Sequence, residues 1–187
     1  SSARPSAALL GYFCALGLAF MLIEIPTIQK FTVYLGRPVY SLAVVLFALL
    51  LFSGLGSLWS GRWPEARVAE RIRQAFAALF VVVLVHPILS GAVLQATLGW
   101  ALGPRMGVAV LLIGVLGFLM GIPFPTGIRW AGTHRPGVVP WLWAINGVAS
   151  VLGSALATAL AIHLGFRATA ALAAVIYGAA GLLLSAE

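Results

Sequence analysis

Aspartate is absent from the sequence, and only four glutamates stand in its place. Charged residues make up 8% of the chain, whereas a soluble domain carries about 25%. A chain this poor in charge cannot cover a water-facing surface, and the soluble globular class is excluded. The shortage also bears on catalysis. Glu65, Glu70 and Glu187 fall in a loop or at the terminus, which leaves Glu24 without a second carboxylate nearby in sequence. A two-carboxylate mechanism or a Ser/His/Asp set is hard to assemble from such a chain. Cysteine is almost missing too: Cys14 is the only one and lies in an apolar run. An intrachain disulfide is impossible, no Cys/His cluster forms a metal site, and the redox compartment stays open. No cofactor is implied.

What is present is apolar. The chain is 62% hydrophobic, with a mean hydropathy of +1.09. The 11 basic residues give a formal net charge of +7, but they sit in short loops between apolar runs. That distribution marks topology signals and lipid headgroup contacts. No basic stretch interleaves with aromatics as a nucleic-acid platform would, so the lipid bilayer is the expected partner and nucleic acid is not. The chain opens at Ser1 rather than Met, as a processed protein or a piece of a longer one would. Its first apolar run is too long for a signal-peptide core and has no small-residue cleavage site after it.

The apolar runs predict an all-α integral membrane domain of six transmembrane helices in one bundle over residues 1–187. The spans are 8–29, 39–59, 75–98, 106–128, 141–164 and 168–184, each close to the roughly 20 residues that cross a bilayer as a helix. A membrane β-barrel would show alternating segments of about 10 residues, and these runs are continuous. With both termini inside, the inner segments hold Arg4, Arg62, Arg67, Arg71, Arg73, Arg129 and Arg135. The outer ones hold Lys30, Arg37, Arg105 and Arg167. The bias predicts an N-in/C-in orientation. The stretch WPEARVAERIRQ, residues 63–74, reads as a solvated, lipid-facing surface helix, with Pro at its start, an early acid and Arg at helical spacing. All six tryptophans (59, 63, 100, 130, 141 and 143) fall near span ends, as an aromatic belt does.

Small residues recur every fourth position. Gly11, Ala15 and Ala19 do so in the first span, Gly117 and Gly121 in the fourth, and Ala149, Gly153, Ala157 and Ala161 in the fifth. Beside that last stripe runs another of Ser150, Ser154 and Thr158. Such stripes let helix backbones approach closely. In LFSGLGSLWSGR, Gly54, Gly56 and Gly61 do not form a nucleotide loop: Trp59 holds the third glycine position, no strand precedes it and no acid follows at the required distance. The glycines predict a flexible or closely packed helix end. In GIPFPTGIRW, Pro123 and Pro125 cannot both occupy an undisturbed helix, so the fourth span should break near its inner end. The break is either a terminator or unwound backbone lining a cavity.

Four polar side chains stand out at membrane depth or its edge: Glu24, Gln29, His86 and Asn146. A carboxylate in hydrocarbon is costly, so Glu24 should face protein, find a partner or carry a proton. His86 lies at a neighbouring depth, and a Glu24–His86 contact is one expectation, with Thr27, Gln29 and Lys30 as competitors. Glu24 then reads either as a functional acid or as a buried structural one beside a kink at Pro26.

Taken in order, FMLIEIPTIQKF, LGRPVYSLAVVLFALLLFSGLGSLWSGR, MGIPFPTGIR and VPWLWAINGVASVLGSALATALAIHLGF resemble the membrane region of bacterial integral membrane proteins related to spermidine synthase. The resemblance covers about Gly11 to Phe166 and is closest to the helices that follow the synthase-like domain in longer members. It implies a bacterial inner-membrane location and a link to polyamine chemistry. That soluble, methyltransferase-fold domain, with its decarboxylated S-adenosylmethionine pocket and catalytic aspartates, is missing here, so no catalytic residue carries over. What carries over is a motif set: Glu24, Pro26, Gln29, Lys30, Pro38, Tyr40, Pro123, Phe124, Pro125, Asn146 and Gly147. The expected role is a non-catalytic membrane domain that anchors or assembles with a partner, a synthase-like domain among the candidates. The alternatives are a transporter-like or channel-like bundle and an accessory subunit of a larger membrane complex.

Overall fold

In the computed structural model, residues 4–185 are described. They form α1 (Ala7–Leu35), α2 (Pro38–Gly61), α3 (Glu65–Ala96), α4 (Leu102–Met120), α5 (Pro123–His134), a short 3-10 turn (Pro136–Val138) and α6 (Val139–Ser185), with no strand among the described residues. Five helical stretches are long and apolar enough to cross a membrane: residues 7–35, 38–61, 65–96, 102–134 and 136–184. Helix is the expected outcome, because in lipid every backbone N–H and C=O must be satisfied within its own segment.

The helix ends follow local chemistry. Ser6 caps α1, its Oγ accepting from the Leu9 N–H at 3.2 Å. Gly36, at φ 77°, closes the other end in the left-handed region and donates its N–H to the Thr32 carbonyl. Pro38 and Pro123 open α2 and α5 in the first turn, where a missing N–H costs nothing.

Several element boundaries differ from those expected. α1 runs through Pro26 to Leu35, so Pro26 neither ends the helix nor limits the span to residue 29. Its missing N–H frees one carbonyl, a loss that a buried, well-packed helix tolerates. The expected surface helix over 63–74 is not separate: Glu65 to Ala96 is one continuous helix, because no Gly or Pro interrupts 65–86 and the Arg-bearing turns extend the apolar ones without a break. The fourth span does break. α4 stops at Met120, and Gly121 and Ile122 turn the chain. Pro123 and Pro125 then fall in the first turn of α5, where their lack of N–H removes no helical bond.

The fifth and sixth spans appear as one element, α6, of 47 residues. At 1.5 Å per residue it would measure about 70 Å if straight, more than twice a hydrocarbon core of about 30 Å. It is not straight: Gly165 sits at φ 81°, ψ 167°, outside the helical region. The arm over 139–164 runs alongside α1 in the same direction, Asn146 lying against Phe13 and Gly153 against Leu18 and Met21. The arm over 166–185 returns in the opposite direction. Phe166 and Ala170 share a cavity with Pro26 and Lys30, and Leu183 reaches Gly11.

Small residues bring backbones into contact at these seams. A methyl group at Gly121 would stand 2.1 Å from the Ser53 carbonyl oxygen, and one at Gly56 would stand 2.0 Å from that of Phe118. Gly56 of α2 and Gly114, Gly117 and Gly121 of the fourth span thus serve one α2–α4 seam. At the α1–α6 seam, a methyl at Gly17 would meet the Asn146 carbonyl oxygen at 2.5 Å. Ala149, Gly153, Ala157 and Ala161 form the buried stripe of α6, as their spacing predicts. The core holds Tyr12, Phe13, Leu22, Leu79 and Tyr177, with a second cluster around Phe31, Val45 and Ile113.

Candidate functional site

Polar groups within the bundle gather at two levels. At the end that carries the N-terminus, the Tyr12 hydroxyl donates to the Pro123 carbonyl at 2.7 Å. Asn146 Nδ2 donates to the Phe13 carbonyl at 3.0 Å. The Arg129 guanidinium donates to the Ser60 and Gly61 carbonyls at 3.1 and 2.9 Å, which satisfies the last carbonyls of α2. These bonds pin α1, α2, α5 and the first arm of α6 to one another. Phe124 adds edge contacts to Phe13 and Trp143. Pro123 therefore contributes its carbonyl and its place at a helix start, while Pro125 follows in the same turn.

The second level lies toward the C-terminal end of α1. Lys30 Nζ donates to the Pro87 carbonyl at 3.1 Å and to Ser90 Oγ at 2.6 Å, and Ser90 Oγ donates in turn to the His86 carbonyl at 2.5 Å. A lysine at this depth must find acceptors, and it finds neutral oxygens on α3. Beside it is a cavity of about 40 Å³ whose lining includes Pro26, Thr27, Lys30, His86 and Phe166. His86 lines it as well, with the backbone of Leu112 on α4 beside its imidazole. One turn further along α1, the Arg105 guanidinium lies over the Tyr34 ring at 4.7 Å, and the Tyr34 and Thr97 hydroxyls are 2.7 Å apart.

The structure does not unite the residues singled out in the sequence. His86 faces the cavity with Lys30, and Glu24 is not among the residues that line it. Glu24 is half-buried and makes no hydrogen bond or ion pair among the described residues. Helical spacing sets it on the stripe of Gly17 and Met21, which faces the first arm of α6. The expected Glu24–His86 pair is replaced by Lys30 on α3 backbone and Ser90, because the longer ammonium side chain sits on the face of α1 that meets α3. Gln29 is half-buried and likewise unbonded among the described residues. Asn146 lies near Phe13, some ten residues of α1 away from Glu24, and shares no cavity with His86. No group of three His, Cys, Asp or Glu able to hold a metal occurs among the described residues.

Lys30 stands in the sequence as a competitor for Glu24 and a member of the carried-over motif set, while Ser90 is not among the expected residues. The signal was available: the only lysine of the chain lies inside an apolar stretch, opposite an HPILS segment that combines a proline with a hydroxyl one turn on.

Fold and site together define an all-helical protein with helices fit to cross a membrane and with helix-pinning polar bonds at two depths. Comparison with protein-family models, with curated proteins and with solved structures gave no match for the chain.

Proposed function

We propose that this chain is a six-span, non-catalytic domain of a bacterial inner membrane, with both termini on the cytoplasmic side, that anchors or assembles with a partner. The partner of choice is a soluble spermidine synthase-like domain, on the strength of the four-segment resemblance. The observation that carries the reading is the way the bundle interior is filled. Glycines bring α2 onto α4 and α1 onto α6 at backbone contact, and Tyr12, Arg129 and Asn146 spend their polar groups on pinning helices to one another. Six crossings follow if the two arms of α6 each span, since the break at Gly165 returns the chain along α1.

A transport path requires polar groups converging near the midplane. Glu24, His86 and Asn146 do not share a cavity, and this favours the anchoring role over the transport one. The test is purification of the tagged chain from its native membrane under mild detergent. A synthase-like polypeptide recovered in stoichiometric amount supports the proposal. A partner-free protein that drives solute uptake in proteoliposomes overturns it.

A further inference from the structure

Lys30 uses two of the three donors of its ammonium, on Pro87 and Ser90. The third is free, and His86 also lines the cavity beside it. Arg167 is exposed and follows directly on Phe166, which lines the cavity. The arm that begins at Phe166 adds the positive end of a helix over the same space. No acidic side chain lines the cavity. An ammonium with a donor to spare, at a helix start and with no carboxylate in the lining, is complementary to an oxyanion. The remaining walls, Leu22, Val83, Leu116 and Phe166, are apolar. Lys30 is five residues from the end of α1 at Leu35, about 7.5 Å along the axis. An occupant that is anionic at one end and apolar beside it, on a bundle of membrane-crossing helices, is an amphiphile of the bilayer.

We propose that this cavity binds the phosphate of an anionic phospholipid, held by Lys30 with Arg167, the exposed neighbour of the lining residue Phe166, as a second cation, so that one lipid is a specific ligand of the bundle. This goes beyond the anchoring role and does not depend on any protein partner.

The test is lipid binding to the purified full chain in detergent, read by native mass spectrometry and by thermal unfolding, with phosphatidylglycerol, phosphatidylcholine and inorganic phosphate as probes. Phosphatidylglycerol is expected to be retained and to raise the unfolding temperature more than phosphatidylcholine does. Lys30→Met and Arg167→Gln should each weaken its binding about ten-fold or more, the loss of one charge-assisted hydrogen bond. Lys30→Arg should retain most of it, and Arg73→Gln, at the other end of the bundle, should bind as the unchanged protein does. Arg167 is exposed, so its substitution reads the site even if Lys30→Met does not fold. Equal binding of the two lipids, or wild-type affinity in Arg167→Gln, overturns the proposal. So does inorganic phosphate that stabilises the protein as well as the lipid does, since the site would then take a free anion.

Discussion

At the scale of single residues, the clearest contrast lies two positions apart in one segment. Gly54 and Gly56 look alike in sequence, yet a methyl at Gly54 meets nothing within 4 Å, while one at Gly56 meets the Phe118 carbonyl oxygen at 2.0 Å. Overpacking of a close seam costs about 1–3 kcal/mol. Gly56→Ala and Gly121→Ala are therefore expected to lower stability by that amount, measured as a drop in the thermal midpoint in detergent. Gly54→Ala should be neutral or slightly stabilising, since alanine is the better helix former. Glu24 gives the opposite kind of prediction. It makes no ion pair or hydrogen bond among the described residues, so Glu24→Gln should leave the midpoint unchanged within about 0.5 kcal/mol, the range of substitutions that touch no special feature. A loss of 3 kcal/mol or more on that substitution, the cost of breaking a buried pair, would reveal a partner. That Glu24 stands alone was not legible in the sequence. Depth along two helices can be counted from the residues, but which faces meet depends on rotation about each axis, and that is set by the glycine seams.

At the scale of elements, the sequence is most readable where backbone chemistry is local. Pro123 and Pro125 announced a break, and the chain turns just before them, at Gly121 and Ile122. The small-residue stripes announced close packing and deliver it. Element ends differ from expectation where flanking packing carries a helix past a change of composition or a single proline. α3 continues through its arginines, and α1 continues through Pro26. The return of α6 rests on Gly165, whose φ 81°, ψ 167° lies in a region open essentially to glycine alone. No side chain crowds the position, as a methyl there meets nothing within 4 Å. Any penalty at this site is therefore conformational. Gly165→Ala should cost about 1–3 kcal/mol, whereas Gly147→Ala, on the same helix in equally open space, should cost nothing. Equal midpoints for the two variants would mean that the turn does not need the left-handed backbone.

At the scale of the whole molecule, the arrangement of cations makes a topological prediction. Tyr12 meets Pro123, and Arg129 meets the end of α2. The start of α1, the end of α2, the start of α3 and α5 therefore share one end of the bundle. Arg4, Arg62, Arg67, Arg71, Arg73, Arg129 and Arg135 all belong to it. Lys30 with Ser90, Tyr34 with Thr97, and Tyr34 under Arg105 collect the other basic groups at the opposite end. The charge asymmetry read along the sequence thus becomes an asymmetry between two physical ends, and cytoplasmic segments carry the excess of Lys and Arg. Labelling with a membrane-impermeant thiol reagent tests this directly. With Cys14 first replaced by serine, single cysteines at the exposed positions Arg62→Cys and Gly132→Cys should be protected in intact cells and react after permeabilisation. Cysteines at Arg37→Cys and Gly99→Cys should react in both. The reverse pattern would invert the molecule in the membrane while keeping the bundle. A split within either pair would mean that the helices do not cross the bilayer in the order the packing implies, and the six-span reading would fall with it.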